Sequence, residues 1–219
     1  MNEFLSNLPL FLQSIWETLY IVLISLVVSG VLGLAIGVGL YVTRPGNLLA
    51  NRAVYMILNI VVNLVRPVPF VIFIAAVGPL TLAVVHTTIG NAAVIFALSL
   101  AACFAVSRIV EQNLVTVDPG VIEAARAIGA GPWNIITSVL IPEGLGPLIL
   151  GYTFLYVGIV DMSAQAALIG GGGLGSFAIT YGYQRFNWVA VYVTVAVIIV
   201  IVQAGQFLGN WLARKALRR

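Results

Sequence analysis

The chain has 219 residues, of which 61% are hydrophobic and only 8% are charged, and its formal net charge is +3. Average soluble domains carry about 25% charged residues, so this composition excludes a soluble globular protein and predicts a single-domain polytopic membrane protein, residues 1–219. The basic residues lie at the ends of apolar segments, a pattern that indicates contact with membrane lipid and no binding of nucleic acid. With one histidine, one cysteine and no carboxylate pair in a shared span, the sequence predicts no enzyme, metal site or cofactor.

Five apolar segments are predicted to cross the membrane, which gives an all-α protein with five transmembrane helices. A crossing helix needs about 20 residues. The segments cover about residues 18–42, 53–85, 87–107, 144–169 and 188–212. Residues 1–17 are expected to form a short amphipathic lead-in, and Arg108 and Glu111 are expected to end the third span.

The second segment, 53–85, has a length that fits no simple crossing. As one helix it would be roughly 50 Å long, too long for one crossing and too short for two. Pro67 and Pro69 interrupt it, so we expect a kink at 66–69. Arg66, beside that kink, either lines a polar pathway or extends its side chain to the lipid headgroups.

The first span carries a small residue at every fourth position: Ser25, Ser29, Gly33 and Gly37. Residues four apart share one face of a helix, where small side chains let another helix approach closely. We therefore expect a packing face. The alternative is the ordinary tolerance of membrane helices for glycine.

The distribution of basic residues predicts the orientation of the chain. Five spans put the two ends of the chain on opposite sides of the membrane. With the N-terminus outside, only Arg185 is external, Arg66 is unassigned, and eight basic residues are cytoplasmic: Arg44, Arg52, Arg108, Arg126, Arg214, Lys215, Arg218 and Arg219. The positive-inside rule then places the C-terminus and the region 112–143, between the third and fourth spans, in the cytoplasm.

Residues 118–142 form a polar island in this apolar chain. Asp118 is a suitable N-cap and Gly129 a suitable residue just beyond the C-terminal cap, so a helix of about 15 Å is expected over 119–128, far too short to cross a bilayer. Glu123 and Arg126 lie three residues apart and can pair. The helix either docks a partner outside the bilayer or merely connects two spans.

Asp161 lies inside the fourth predicted span, where a charge is costly and usually faces a cavity or a partner. It is either a functional counter-charge or gate residue, or a carboxyl group satisfied by neighbouring hydroxyls. The glycine run 170–175 is not followed by the Lys-Ser/Thr pair of a nucleotide-binding loop. Flexibility, or the close approach of an external protein, is the expected role of these glycines.

The island resembles the EAA signature of ABC-importer permeases, EAA-x3-G followed by an ending similar to I-x-L-P. Six residues match at the family's spacing: Glu123, Ala124, Ala125, Gly129, Ile141 and Pro142. In that family this loop forms a coupling helix that docks into a groove of a separate ATP-binding subunit. The resemblance therefore implies that these residues, together with Arg126, couple the chain to an ATPase, and the small alanines would let the groove close around the helix.

Four further stretches resemble the methionine-uptake branch of the family: WETL at 16–19, YVTRPG at 41–46, GGGGLG at 170–175 and YGYQRFN at 181–187. This resemblance implies a multi-pass subunit of the bacterial plasma (inner) membrane that imports methionine or a related amino acid. It also implies three partners: a second copy of the chain in a homodimer, a dimer of ATPase subunits, and an extracytoplasmic substrate-binding lipoprotein.

The segment 160–165 departs from that branch, where a sequence close to GYSAM is usual. By position, Asp161 replaces a glycine and Gln165 replaces a methionine, and Arg66 is followed by a proline where serine is common. In the family these positions line the translocation path, so the expected path residues are Arg66, Asp161, Met162, Ser163 and Gln165. The departures leave open a different small solute as cargo. An ATP-independent carrier or channel is a further alternative, although the matching broken helices of such carriers are not visible.

Overall fold

The computed structural model describes residue 4 and residues 6–217, and these residues form helices joined by turns and short loops. In chain order the helices are α1 (Leu8–Thr43), α2 (Arg52–Val65), α3 (Phe70–Ala76), α4 (Gly78–Val85), α5 (Asn91–Val115), α6 (Pro119–Ala127), α7 (Pro132–Ile135), α8 (Ile141–Glu143), α9 (Leu145–Ala164), α10 (Leu174–Phe177) and α11 (Trp188–Leu217). π-Helical turns occupy Ile136–Leu140 and Ala178–Tyr183, and a 3-10 helix occupies Gln165–Ile169. The described residues thus have the all-helical architecture expected from the sequence.

Four of the described helices are long and apolar enough to cross a membrane: α1, α5, α9 with its 3-10 extension, and α11. The pair α2 and α3 makes a fifth crossing if the two are one broken span. Two boundaries differ from the predicted ones. The first helix already begins at Leu8, so residues 8–17 continue the apolar helix, while residues 1–3 and 5 of the predicted lead-in lie outside the described residues. The helix α5 continues to Val115, through Arg108 and Glu111, because these two side chains satisfy each other within the helix.

The second apolar segment breaks where its prolines lie. Between α2 and α3 the chain changes direction by 111°, over a break that contains Pro67 and Pro69. A proline has no N–H to donate and its ring clashes with the preceding turn, so a continuous helix cannot pass through both positions. A second interruption at Val77 separates α3 from α4. The segment therefore consists of three short helices.

The chain contains two compact units. Unit 1 comprises Met1–Ser29, Val68–Ala102 and Tyr156–Gln206, and unit 2 comprises Gly30–Pro67, Cys103–Leu155 and Phe207–Arg219. One core cluster of unit 1 contains Phe11, Leu174, Phe177 and Ala190, and the rings of Phe11 and Phe177 lie 5.1 Å apart. The core of unit 2 gathers aliphatic side chains of α5 and of the region 118–142. Each unit thus has a hydrophobic core of its own.

The small residues of α1 form a packing face, as the sequence predicted. Ser25 and Ser29 are fully buried, and Gly33 and Gly37 are buried as well. A Cβ atom added at Gly33 would overlap the Val106 side chain, and one added at Gly37 would overlap Val110 and the backbone of α5. The two glycines therefore allow the α1 and α5 backbones of unit 2 to approach more closely than any other residue would permit.

A polar network joins α2 to α5 within unit 2. The Arg108 guanidinium forms an ion pair with Glu111, and it donates hydrogen bonds to the side-chain oxygens of Asn59 at 2.8 Å and Asn63 at 2.6 Å. The Asn63 amide in turn donates to Asn59 at 3.1 Å. Both charged side chains are largely buried, with 14% of Arg108 and 7% of Glu111 exposed. A buried charge is tolerated when its partners satisfy it, so these four side chains depend on one another.

We predict that Glu111→Leu destabilises the chain by about 3–5 kcal/mol, because it leaves the Arg108 charge buried without its counter-charge. The double variant Arg108→Met and Glu111→Leu removes both charges and should recover most of that loss. Unfolding in detergent, followed by circular dichroism with increasing denaturant, compares the two variants. Equal destabilisation by the single and the double change would mean that the ion pair is not what holds this contact.

Candidate functional site

The helix α6 is capped at both ends by its own neighbours in the chain. At the N-terminus, the Asp118 carboxylate accepts a hydrogen bond from the Gly120 N–H at 2.8 Å. At the C-terminus, Gly129 adopts a φ of 82°, in the left-handed region that glycine favours. The Gly129 N–H donates to the Arg126 carbonyl and the Ala130 N–H donates to the Ala125 carbonyl, at 2.9 and 3.1 Å. This pair of bonds is a Schellman motif, so both caps predicted from the sequence are present and α6 is a well-defined short helix.

One face of α6 is anchored in the core of unit 2. Ile122 and Ala125 are buried, and they belong to a cluster that includes Leu114 at the end of α5, Val117 just beyond that helix, and Leu140 before α8. Burial of a side chain such as isoleucine contributes about 1.5–3 kcal/mol. A helix of nine residues would be marginal alone, so this contact is what fixes its position. The slim face expected from the three alanines is thereby reduced, because Ala125 points inward.

The opposite face of α6 is exposed. Glu123, Ala124 and Arg126 are all exposed, and Glu123 and Arg126 form no ion pair with each other, although their spacing allows one. Exposed pairs of this kind gain only about 0.2–0.5 kcal/mol, which is too little to hold two solvated side chains together. Both charges are therefore available to a partner.

Two large apolar side chains stand beside this exposed face. Ile128 is 85% exposed at the end of α6, and Trp133 is 73% exposed at the start of α7. No pattern in the sequence singles them out, because their exposure depends on how α6 and α7 pack in the tertiary structure. We call Glu123, Ala124, Arg126, Ile128 and Trp133 the α6 surface. Large apolar side chains next to charges on an exposed element are typical of a protein-binding surface.

Ile141 and Pro142 follow a widened turn. The Ile141 N–H donates to the carbonyl of Ile136, five residues earlier, which defines the π-helical stretch Ile136–Leu140. Pro142 has no N–H to donate and lies just inside α8. A widened turn before a proline provides room for its ring. Ile141 also packs against the cluster that holds α6, so the two ends of the motif, 123–129 and 141–142, belong to one packed assembly.

The residues expected to line a path do not all lie in one unit. Arg66 is exposed at the C-terminal end of α2, in unit 2, whereas the other four lie in unit 1 at the end of α9. Asp161 is exposed and Met162 is half-buried. Ser163 is buried and donates a 2.7 Å hydrogen bond to the Val160 carbonyl.

Gln165 begins the 3-10 helix, and its side-chain carbonyl oxygen is buried without a hydrogen-bond partner among the described residues. A buried acceptor without a donor is costly, and at a functional site it commonly awaits a group from elsewhere. Asp161 likewise makes no hydrogen bond or ion pair within the described part of the chain, and neighbouring hydroxyls do not satisfy its carboxylate there. These two residues therefore have polar side-chain atoms, near the end of α9, that make no hydrogen bond within the described residues.

The glycines of the run 170–175 pack closely inside the chain. Side chains from α1 and α5 accept hydrogen bonds from three successive backbone N–H groups of the run. Added Cβ atoms at Gly171, Gly172 and Gly175 would each overlap neighbouring atoms. Close approach within the chain is therefore the role of these glycines in the structure, in place of the flexibility expected from the sequence.

Comparison with known proteins gives the family of the chain. The model of the family described as "binding-protein-dependent transport system inner membrane component" matches residues 33–218. A probable D-methionine transport system permease protein MetI of Vibrio cholerae is 40% identical, over 99% of this chain and 96% of its own length. The D-methionine transport system permease protein MetI of Escherichia coli K12 is 39% identical, over 71% of this chain and 72% of its own length.

Solved structures agree with this result. A chain of the inward-facing MetNI methionine ABC transporter is 36% identical and superposes with a TM-score of 0.93, covering 96% of this chain and 98% of that chain. A chain of an amino acid ABC transporter superposes with a TM-score of 0.80 at 17% identity, which shows a shared fold alone. The family match covers most of the sequence, and the chain belongs to the inner membrane components of binding-protein-dependent transport systems.

Proposed function

We propose that the chain is the permease subunit of an ATP-driven importer of methionine or a closely related amino acid. The observation that carries this proposal is the 40% identity to a probable D-methionine permease over nearly the whole of both chains. The structural likeness to the MetNI transporter supports it. The cargo is the part that the family alone leaves open, because the family is defined by its transport system and not by one solute.

The orientation follows from the charges. The N-terminus lies outside, and the region 112–143 and the C-terminus lie in the cytoplasm, where the positive-inside rule places the basic residues. In this orientation the α6 surface faces the compartment that holds ATP. The run 170–175 and Arg185 face outward, toward a substrate-binding protein.

The α6 surface docks an ATPase subunit, and a second copy of the chain completes the transporter with a second ATPase subunit. Three features support this role for α6: its exposed charges, the exposed Ile128 and Trp133, and its anchoring by Ile122 and Ala125. When the ATPase dimer closes, it moves the docked helices. Because α6 shares a core cluster with Leu114 at the end of α5, that displacement is passed through the cluster to a membrane-crossing helix.

The substrate path includes the end of α9 in unit 1. Asp161 and Gln165 have polar atoms without partners in the described chain, and both stand where the methionine-uptake branch has other residues. Asp161 acts as a counter-charge for the substrate amine or as part of a gate. The second candidate, an importer of a different small solute, is favoured by the same two residues.

We predict that Glu123→Lys abolishes ATP-driven uptake while the chain still inserts in the membrane. Reversing an exposed charge at a docking surface costs about 2 kcal/mol or more, roughly a 30-fold loss of partner affinity. Uptake of labelled D-methionine in vesicles carrying the chain, the ATPase and the binding protein measures this. The matched control is Glu143→Lys, the same change at an exposed position outside the α6 surface. Normal uptake by Glu123→Lys would refute the docking role.

We also predict that Gly129→Val reduces uptake strongly, whereas Gly129→Asn is tolerated. A β-branched residue at a φ of 82° is strained by about 1–2 kcal/mol, while asparagine adopts this conformation more readily. The strain would unwind the Schellman motif and displace Ile128. Copurification of the ATPase with each variant tests whether the C-terminal cap of α6 shapes the docking surface. Equal amounts of ATPase with both variants would show that the cap does not shape the docking surface.

Asp161→Asn should alter the concentration dependence of uptake, and Asp161→Glu should largely preserve it, because only the first removes the charge. The amount of inserted protein should be similar in both variants, since the Asp161 carboxylate is exposed and makes no hydrogen bond in the described chain. Initial uptake rates over a range of substrate concentrations measure the effect. If Asp161→Asn shows the uptake kinetics of the wild type, Asp161 has no role in transport and is only a surface residue of the helix.

A further inference from the structure

Three side chains of unit 1 hold the glycine run by its backbone. The Gly172 N–H donates to the Asn91 side-chain oxygen at 2.7 Å, and the Gly173 N–H donates to Glu17 Oε2 at 2.8 Å. The Leu174 N–H donates to Thr18 Oγ1 at 2.8 Å. We call Glu17, Thr18, Asn91 and residues 172–174 the clasp. It joins α1, α5 and the start of α10, and it brings together the WETL and GGGGLG stretches, in which Glu17 and Gly173 lie 156 residues apart.

The glycines are required by the geometry of the clasp. A Cβ atom added at Gly172 would overlap the Glu17 carboxylate. Gly173 has a φ of 97°, and a Cβ atom there would lie 2.8 Å from Thr18 Oγ1. Successive backbone N–H groups in such a conformation form a concavity that favours an anion. In this chain the anion is the carboxylate of Glu17.

Glu17 has no counter-charge in the described part of the chain. Its second oxygen accepts a hydrogen bond from the Gln13 amide at 2.8 Å, and its partners are therefore amides. A carboxylate in an apolar, membrane-crossing helix is costly, and residues of this kind usually serve a function. A neutral acceptor suffices for one backbone N–H, as Thr18 shows. The charge at Glu17 makes its hydrogen bond stronger than a neutral one.

The other side of the glycine run lies against the end of α9. The Gly171 N–H donates to the Ala166 carbonyl at 2.9 Å, and a Cβ atom at Gly175 would overlap the backbone of Ala164. These contacts flank Gln165, where α9 changes into the 3-10 helix. The chain thus forms a continuous contact from Glu17 through the glycine run to the segment 161–165.

We propose that Glu17 is a positioning residue for transport: through the clasp its carboxylate sets the placement of the segment 161–165 and thereby the substrate dependence of uptake. This role rests on the proposed function, because it takes that segment as part of the substrate path. Glu17 itself does not contact substrate.

Two substitutions that relieve each other test the proposal. Gly172→Ala pushes a methyl group into the space of the Glu17 carboxylate, and Glu17→Asp withdraws that carboxylate by one methylene. Each single change should raise the half-saturating substrate concentration for uptake about tenfold, the usual effect of losing one hydrogen bond to a charged group. The double variant should lie closer to the wild type than either single variant does. Gly158→Ala is the matched control, because a Cβ atom there meets nothing within 4 Å.

A second readout measures position without substrate. In a Cys103→Ser background, Gln165→Cys supplies the chain with a single thiol. The rate at which a small thiol reagent modifies this thiol should change about tenfold when Gly172→Ala is added, and it should return to its original value in the double variant Gly172→Ala and Glu17→Asp. If Gly172→Ala fails to insert, Thr18→Val takes its place, since it removes one acceptor of the clasp at nearly constant shape. Thr18→Val should change the rate of thiol modification at Gln165→Cys in the same direction as Glu17→Asp changes it.

The outcomes separate the two proposals. Unchanged thiol modification and unchanged half-saturation in inserted variants overturn the clasp proposal. A loss of maximal uptake alone, with additive effects in the double variant, would show that Glu17 is only structural and would also overturn it. Absence of ATP-driven methionine uptake by the wild type overturns the proposed function, and the thiol rates still decide whether Glu17 positions the segment 161–165.

Discussion

The packing of α6 into the core cluster of unit 2, which also contains Leu114 from the end of α5, is the contact on which the rest of the account depends. Ile122 and Ala125 bury one face of a nine-residue helix in the core of unit 2, and two local caps define where that helix begins and ends. Burial on one side leaves Glu123 and Arg126 exposed on the other. A short helix held in this way can receive a force at its exposed face and pass it to the helix behind it. Without the anchor, the same residues would form a mobile connection, and a partner that binds them would displace no other part of the chain.

A second constraint is that polar groups carried by apolar helices must find partners inside the chain. In unit 2, Arg108 is satisfied by Glu111 and two asparagines of α2, a helix that ends at a proline break. In unit 1, Glu17 is satisfied by a glycine backbone and by Gln13. Both networks join elements that are far apart in sequence. In contrast, Asp161 and the side-chain oxygen of Gln165 make no hydrogen bond within the described residues, and this supports the proposal that their segment belongs to the substrate path.

The helix caps, the proline break and the packing face of α1 could be predicted from the sequence because their causes are local. Asp118 and Gly129 act through hydrogen bonds to residues within five positions, and the prolines at 67 and 69 remove their own donors. The spacing of Ser25, Ser29, Gly33 and Gly37 follows from helix geometry, so the packing face was also predictable. In contrast, the contacts of Arg108 with Asn59 and of Glu17 with Gly173 span 49 and 156 residues, and no pattern within one helix indicates them. The exposure of Ile128 and Trp133 and the burial of Ala125 depend on which way α6 faces, which only the tertiary packing decides.

The most direct test of the central claim is site-specific photo-crosslinking of the α6 surface. A photo-reactive amino acid placed at Ala124 in the assembled transporter should capture the ATPase subunit on illumination, and nucleotide should change the yield, because closure of the ATPase moves the docked helix. The same group placed at Gln184, an exposed position predicted to lie outside the cell, should capture no ATPase. Equal capture of the ATPase from both positions, or none from Ala124, would contradict the account.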